Sequence, residues 1–345
     1  MKKIWKYVVN HVKEDFTVKQ YGFVFLFLAS ALYVNYALNF DDLVLRSQKG
    51  FTKLFFYFLF YASAYYITLL PLYLIKKNSF FSRKEFWTKS LIGLFVLSLD
   101  SSVPYLRDWV EITFEYSMQF WAYKVSVNLI SFFTILFPLL VFYWANDRKE
   151  NHYYGLKAHR FDARPYFYML LIMLPIMIAA SFHPSFIKQY PMYKPTEAHI
   201  LLNVPEWITI LIYEMAYGMD FLTVEFLFRG FFVIGMIQLL GRHSVLAMVA
   251  IYCFLHTGKP LGEAISSIFG GYLLGVVAYE TKSIWGGVIV HLGIAWLMEV
   301  IGFVQKMSEL GFLGLKDEQD VLGSQMIRGR FYSLIENLDF TLLGF

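Results

Sequence analysis

Three long apolar runs without a single charged residue constrain what this chain can fold into. They are Tyr21–Phe40, Leu54–Ile75 and Val125–Ala145. A helix needs about 20 apolar residues to cross the roughly 30 Å of hydrocarbon in a bilayer, because each residue adds about 1.5 Å. The runs therefore predict an all-α fold, a polytopic bundle of transmembrane helices.

Further apolar runs raise the expected number of transmembrane helices to about eight. Tyr166–Phe182 is short but free of charge, whereas Ser90–Leu106 is weakened by Asp100 within it. The second half of the chain differs, because its apolar runs contain or end on ionisable residues. These runs are Phe221–Leu240, Ser244–His256, Ala264–Tyr279 and Ile284–Val304.

The composition agrees with a membrane protein and excludes several other classes. Hydrophobic residues make up 58% of the chain and charged residues 16%, against about 45–50% and about 25% in soluble globular domains. The net charge of +4 suits contact with anionic lipid but is too small for a nucleic-acid-binding protein. We therefore expect membrane lipid as a partner and no nucleic acid. The single cysteine, Cys253, rules out a disulfide framework and a cysteine-based metal site.

Charges in the first half lie between the apolar runs and predict the orientation of the chain. Lysines and arginines cluster before the first run, after the second run and after the Val125–Ala145 run. Because cytoplasmic loops of membrane proteins are rich in these residues, we expect the N-terminus in the cytoplasm. By function we divide the chain into anchoring helices (1–200), a helical core that carries intramembrane polar groups (201–304) and a C-terminal tail (305–345).

Ionisable residues inside the apolar runs of the second half are the candidate functional residues. A charged side chain in hydrocarbon costs at least about 2.5 kcal/mol, so a function is the default explanation for one. The candidates are Glu214, Asp220, Glu225, Arg229, His256, His291 and Glu299. Glu225 and Arg229 are four residues apart, so they share a helix face and are expected to form an ion pair. That pair could also be purely structural, with no chemistry.

Glu214 could join Glu225 on the same helix face. It lies 11 residues earlier, which is three helical turns. Gly218 stands between them and argues against an unbroken helix, because glycine destabilises a helix interior.

Glu225, His256 and His291 lie on three different apolar runs, and helix lengths allow all three to lie at depths within the bilayer. If they meet, two kinds of chemistry are open to them. A carboxylate can act as general base and activate a water for hydrolysis. Alternatively, two histidines and one glutamate could bind a divalent metal such as zinc, as in zinc hydrolases. The residues alone leave open a site without a cofactor and a metal site.

The order of these residues resembles the motifs of a known family. The matching segments are Glu225-Phe-Leu-Phe-Arg229, then Tyr252-Cys-Phe-Leu-His256, then His291. They resemble the patterns E-E-x-x-x-R, F-x-x-x-H and H-x-x-x-N or H-x-x-x-D of the CAAX-protease and bacteriocin-processing (CPBP or ABI) family. The resemblance covers under a quarter of the chain.

The resemblance implies an intramembrane endopeptidase that hydrolyses a membrane-associated peptide or protein. Glu225 and His256 would activate the water, with or without a metal. His291 would hold the scissile carbonyl or the tetrahedral intermediate, and Arg229 would orient and charge-balance Glu225. The resemblance also implies a multi-pass protein of the bacterial cytoplasmic membrane.

Two positions depart from the family patterns. Val224 stands at the first Glu of E-E-x-x-x-R, and Ala295 stands at the Asn or Asp that follows the last His. Glu225 could take the base role in a variant site, with Glu214 or Glu299 helping. Alternatively, the chain is a catalytically inactive protein of the same fold that acts in binding or immunity. A transporter is a third alternative, less favoured because the polar groups are confined to one half of the chain.

Overall fold

The computed structural model describes residues 2–76, 79–103, 105–150, 152–157 and 161–312, and every regular element among them is a helix. The predicted all-α fold is confirmed. The main helices are, in chain order, α1 (Lys2–Asp15), α2 (Val18–Leu38), α3 (Gly50–Lys76), α4 (Lys84–Ser102), α5 (Leu106–Thr113), α6 (Tyr116–Glu150), α7 (Arg164–Ala180), α8 (Glu206–Leu240), α9 (His243–Leu255), α10 (Leu261–Thr281) and α11 (Trp285–Phe312). Two short helices, Pro184–Gln189 and Ala198–Leu201, lie between α7 and α8.

Most of these helices have the length and composition of membrane spans. Six in the described part of the chain are long and apolar enough to cross a membrane, namely α2, α3, α6, α8, α10 and α11. With the shorter apolar helices α7 and α9, the number of apolar helices is close to the predicted number of about eight transmembrane helices. The protein is therefore a polytopic helical bundle, as its apolar runs predict.

Helix α8 is longer than its apolar run, and the expected break at Gly218 is absent. The α-helix continues from Glu206 through Gly218 to Glu225. Gly218 is required by packing, because a Cβ there would lie 2.9 Å from the ring of Trp296 and 3.1 Å from Leu292. Close contact with a neighbouring helix therefore explains this glycine, and the prediction of a broken helix was wrong.

The centre of the bundle is formed by α9 and the second half of α8. All residues of α9 from Ser244 to Phe254 are buried, and so are all residues of α8 from Glu225 to Met236. A helix that is apolar on every side is stable only when protein or lipid surrounds it. In α9 the surroundings are other helices of the same chain, so the residues at its end are held inside the protein.

The middle of α8 departs from regular α-helical geometry directly after Glu225. Residues Phe226–Val233 form a π-helix and Ile234–Met236 a 3-10 turn before the α-helix resumes. Such π-helical insertions are rare and concentrate at functional sites. Two glycines make this one possible: a Cβ on Gly230 would lie 2.6 Å from the carbonyl oxygen of Tyr154, and a Cβ on Gly235 would lie 2.8 Å from its ring.

A buried lysine braces this irregular segment. Lys89 of α4 is 1% exposed, and its Nζ donates to the carbonyl oxygen of Gly235 over 3.1 Å. The same ammonium lies 3.0 Å from the carboxylate of Asp147, which accepts a 2.5 Å hydrogen bond from the hydroxyl of Tyr154. Because a buried charge is tolerated only when it is paired, this network fixes the position of α4 and Tyr154 against α8.

The chain packs as two compact units. The first comprises Met1–Met173 and Tyr193–Trp296, and the second comprises Leu174–Met192 and the described residues from Leu297 onward. Of the candidate residues, Glu299 lies in the second unit and the others lie in the first. The functional division at residues 200 and 304 stays a prediction, and residues 313–345 of the predicted tail lie outside the described residues.

Candidate active site

The candidate site is built from three helices of the first unit. Glu225 and Arg229 come from α8, His256 follows the last residue of α9, and His291 lies in α11. Glu225 is the last α-helical residue before the π-helix, and Arg229 lies within it. The irregular segment of α8 thus carries the two charged groups of the site.

Glu225 and Arg229 form the ion pair that their spacing predicts. Arg229 Nη1 lies 2.8 Å from Glu225 Oε1, and the two side chains are 1% and 0% exposed. In this low-dielectric position each charge compensates the other.

His291 is the second partner of the Glu225 carboxylate. Its Nδ1 lies 3.1 Å from Glu225 Oε1. An ionised carboxylate can only accept, so Nδ1 carries the hydrogen and donates it. The other ring nitrogen, Nε2, is therefore an acceptor, and it lies 3.3 Å from the hydroxyl oxygen of Tyr252. Tyr252, His291 and Glu225 thus form one chain of hydrogen bonds that ends at the Arg229 ion pair.

The position of the carboxylate depends on Gly287. A Cβ built on this residue of α11 would overlap Glu225 Oε2. Within the described residues this oxygen makes no hydrogen bond. Gly287 belongs to none of the motifs, and its sequence context, Trp285-Gly286-Gly287, predicts only the start of a helix at the membrane interface.

Replacing Gly287 with alanine is expected to displace Glu225 from His291 and to destroy activity, because the new methyl group would occupy the space of Oε2. The matched control is Gly270→Ala in α10, where a Cβ meets nothing within 4 Å. Alanine at that helical position is expected to raise the stability by about 0.5–1 kcal/mol. Thermal unfolding in detergent and cleavage rates check both variants. Equal behaviour of the two would contradict the assigned contact.

His256 holds a fixed ring orientation at the end of α9. Its Nδ1 lies 2.8 Å from the backbone carbonyl oxygen of Tyr252, one helical turn earlier. Since a carbonyl only accepts, Nδ1 carries the hydrogen and Nε2 carries the lone pair. The residue is partly exposed, and Nε2 makes no hydrogen bond within the described residues. Its geometry is that of a general base with an open acceptor.

The loop after His256 is clasped by the N-terminal part of the chain. Three side chains donate to successive carbonyl oxygens of residues 257–259: Asn35 over 2.9 Å, Arg46 over 3.4 Å and Tyr36 over 2.6 Å. Asn35 and Tyr36 belong to α2, and Arg46 belongs to the π-helical turn that follows it. The predicted anchoring helices therefore also position the loop that carries His256.

Tyr252 belongs to the candidate site, although it was not among the residues predicted from the sequence. Its ring lies 4.4 Å from the Arg229 guanidinium and 4.5 Å from the His256 ring, and its hydroxyl reaches His291. The motif contains Tyr252 only as an aromatic position. The hydroxyl that distinguishes it from phenylalanine was the signal that could have revealed it.

Four of the predicted residues converge in the first unit. Glu225, Arg229 and His291 are in direct contact, and His256 joins them through Tyr252.

In the second unit both carboxylate oxygens of Glu299 accept from the backbone amide of Met192, over 2.7 and 3.0 Å. Both oxygens of Glu299 are therefore used in binding the backbone at Met192, which leaves the predicted helper role of Glu299 without support from these contacts.

The two other acidic candidates also lie along α8. The backbone carbonyl of Glu214 accepts from the indole of Trp296 over 3.4 Å. Asp220 lies in the interior of α8, where the Thr223 hydroxyl donates to its backbone carbonyl over 2.7 Å. The helper role predicted for Glu214 stays a prediction.

A metal ion finds no ready ligand set among the residues that the structure describes. No group of three or more His, Cys, Asp or Glu is placed to hold one ion. Glu225 Oε1 is already shared by Arg229 and His291, and a guanidinium at 2.8 Å opposes a second cation. The predicted zinc alternative for Glu225, His256 and His291 stays a prediction, and no chemical step below depends on it.

Comparison with known proteins agrees with the family predicted from the motifs. A family model described as type II CAAX prenyl endopeptidase Rce1-like matches residues 205–297, which include Glu225, Arg229, Tyr252, His256 and His291. The match confirms the resemblance to the CAAX-protease and bacteriocin-processing family. No curated protein and no solved structure matches the chain. Over these residues the chain is similar to type II CAAX prenyl endopeptidases, and its apolar helices make it a multi-pass membrane protein.

Proposed function

We propose that the protein is an intramembrane endopeptidase that hydrolyses a peptide bond of a membrane-associated peptide or protein. The observation that carries this proposal is the direct contact of a buried Glu225 with both Arg229 and His291, next to a His256 whose Nε2 is open. Burying such a set is costly in a membrane, and a hydrolytic site supplies a reason for it.

In the proposed reaction His256 Nε2 takes a proton from a water molecule while the water oxygen attacks the scissile carbonyl carbon. The carbonyl electron pair moves to its oxygen and gives a tetrahedral oxyanion. When that intermediate collapses, the C–N bond breaks and the amine nitrogen receives the proton from His256. The products are a carboxyl group and an amine, and the histidine returns to its starting state.

Glu225, His291 and Arg229 position and balance this reaction. Because Glu225 Oε1 already contacts both Arg229 and His291, its geometry supports an orienting role better than the water-activating role implied by the resemblance. It holds His291 through Nδ1, and Arg229 neutralises its charge. Activation of the water by Glu225 together with His256 stays a prediction.

The substrate and the location of the protein belong to the same proposal. The matched family is named for prenylated proteins that end in a CAAX segment, so a lipid-anchored C-terminal peptide is the first substrate class to test. The basic loops favour a cytoplasmic N-terminus, and the resemblance favours the bacterial cytoplasmic membrane.

Replacing Glu225 with glutamine is expected to lower peptide cleavage at least about 100-fold, because the neutral amide no longer balances Arg229 or fixes His291 in one tautomer. The purified full chain would be assayed in liposomes with three probes. These are a prenylated peptide ending in Cys-aliphatic-aliphatic-X, the same peptide without lipid, and an apolar transmembrane peptide. Glu111→Gln on the exposed face of α5 is the matched control and keeps the native rate. Native rates in both variants would contradict the proposal.

The same assay separates the alternatives. A native protein that cleaves no probe would favour the inactive binding or immunity protein, to which Val224 and Ala295 point. Ion flux through the protein in liposomes would favour the transporter. Loss of cleavage on chelation, with recovery on adding zinc, would establish the metal alternative.

A further inference from the structure

Both histidines of the site are fixed in the same tautomer. The backbone carbonyl of Tyr252 holds a hydrogen on Nδ1 of His256, and the Glu225 carboxylate holds one on Nδ1 of His291. In each ring Nε2 is therefore an acceptor. Each histidine therefore presents an acceptor at Nε2. Its N–H group at Nδ1 is already used in a hydrogen bond and cannot donate to a substrate.

Hydrolysis also needs a donor for the oxyanion that forms on the carbonyl oxygen. The Arg229 guanidinium lies 2.8 Å from Glu225 Oε1 and over the Tyr252 ring at 4.4 Å, so its charge is balanced by the Glu225 carboxylate. One turn beyond His291 on α11, position 295 carries only the methyl group of alanine. The hydroxyl of Tyr252 is a neutral donor beside both histidines, and its one contact with a histidine nitrogen is 3.3 Å long.

We infer that Tyr252 is a catalytic residue whose hydroxyl donates a hydrogen bond to the oxyanion, an inference that rests on the proposed function. At rest the hydroxyl donates to His291 Nε2, but the 3.3 Å separation of these atoms makes this a long hydrogen bond. Rotation about the phenol C–O bond turns the hydrogen to a negatively charged oxygen, which accepts more strongly than a neutral imidazole. The proton stays on Tyr252, so the proton transfers through His256 are unchanged.

Three contacts hold this hydroxyl in place. The Arg229 guanidinium packs on one part of the ring, Phe228 contacts it edge-on at 5.0 Å, and the His256 ring lies at 4.5 Å. The side chain is 5% exposed, so water competes little for the donor. A donor that is fixed and desolvated before the reaction begins is the arrangement that stabilises an oxyanion most.

Replacing Tyr252 with phenylalanine is expected to lower kcat about 100- to 1,000-fold with little change in KM, because the donor acts only on the oxyanion. The ring and the backbone carbonyl stay, so the contacts with Arg229 and His256 are kept. Tyr61→Phe is the matched control, since Tyr61 is 2% exposed and shares a 2.9 Å hydrogen bond with Ser101 away from the site. It is expected to keep the native kcat.

A second variant separates catalysis from structural support. Ala295→Asn places an amide donor one helical turn beyond His291, on the same face of α11. In the Tyr252→Phe background, Ala295→Asn is expected to raise kcat at least about tenfold. If Tyr252→Phe lowered kcat only by weakening the fold, the added amide would not raise it. Thermal unfolding of Tyr252→Phe is expected to stay close to that of Tyr61→Phe.

The outcomes distinguish this inference from the proposed function. Cleavage by the native chain with an unchanged kcat in Tyr252→Phe would overturn the role of Tyr252 and leave the endopeptidase intact. A lowered kcat without any rescue by Ala295→Asn, together with a lowered unfolding temperature, would also overturn it. No cleavage of any probe by the native chain would overturn the endopeptidase and this inference with it.

Discussion

Replacing His256 with asparagine is expected to lower kcat about 100- to 10,000-fold, the range that general-base catalysis contributes. The asparagine amide can still donate to the Tyr252 carbonyl from the position of Nδ1, so the end of α9 is kept. What disappears is the acceptor at Nε2, which has no hydrogen bond within the described residues and is open to a water. The variant therefore removes the base and preserves the fold.

Steady-state kinetics in liposomes would measure this effect, with kcat and KM determined separately. His183→Asn is the control, because His183 is exposed and its ring nitrogen Nδ1 contacts the nearby Ser185. The native rate is expected to fall at low pH, where a protonated His256 cannot accept from water, and this fall should be absent from the residual rate of the variant. A variant within threefold of the native kcat would exclude His256 as the base.

Replacing Arg229 with methionine is expected to lower the free energy of unfolding by about 3–5 kcal/mol, the typical cost of removing one partner from a buried ion pair. Arg229 and Glu225 are almost completely buried, so no water can solvate the carboxylate that remains. Methionine keeps much of the apolar contact with Tyr252 and removes the charge. The lower free energy of unfolding should therefore be caused by the unpaired charge of Glu225 and not by a cavity.

Thermal unfolding in detergent micelles would test this expectation. Arg164→Met is the matched control, because Arg164 pairs with Asp162 at an exposed site and such pairs contribute little. The double variant Arg229→Met with Glu225→Gln removes both charges and is expected to recover most of the lost stability. If the double variant is as unstable as the single one, the charge account of Arg229 is wrong.

Features that depend on residues close in sequence could be predicted from the sequence. The apolar runs predict the helices because a helix buries its own backbone and a run of 20 apolar residues has few other stable states in lipid. The Glu225–Arg229 pair follows from helical periodicity, since residues four apart always share a face. Both predictions are confirmed by the structure.

Features that depend on contacts between distant segments could not be predicted. The contact of Glu225 with His291 joins residues 66 positions apart, and helix depth alone allowed it without requiring it. The π-helix after Glu225 depends on Tyr154 pressing against Gly230, and no local propensity encodes that contact. At Gly218 the local signal was misleading. Glycine disfavours a helix interior and predicted a break, but the helix continues because close packing against Trp296 leaves no room for a side chain.

The anchoring half of the chain contributes more to the site than its composition indicates. The Asn35 and Tyr36 side chains hold the loop after His256, and Lys89 holds the irregular part of α8 through Gly235. Only the folded chain shows which backbone carbonyls these side chains reach. The candidate site is therefore expected to depend on the N-terminal helices for its geometry, and not only for anchorage.

Mass spectrometry of a membrane-anchored peptide incubated with the purified protein in liposomes would show directly whether the protein hydrolyses a peptide bond. The peptide pool would contain prenylated and transmembrane members, and native protein would be compared with His256→Asn. We expect the native protein to give two fragments whose masses add up to the mass of the peptide plus one water. The His256→Asn variant is expected to give at least about 100-fold less of both fragments. An intact peptide pool in the native reaction, or equal fragments from both proteins, would contradict it.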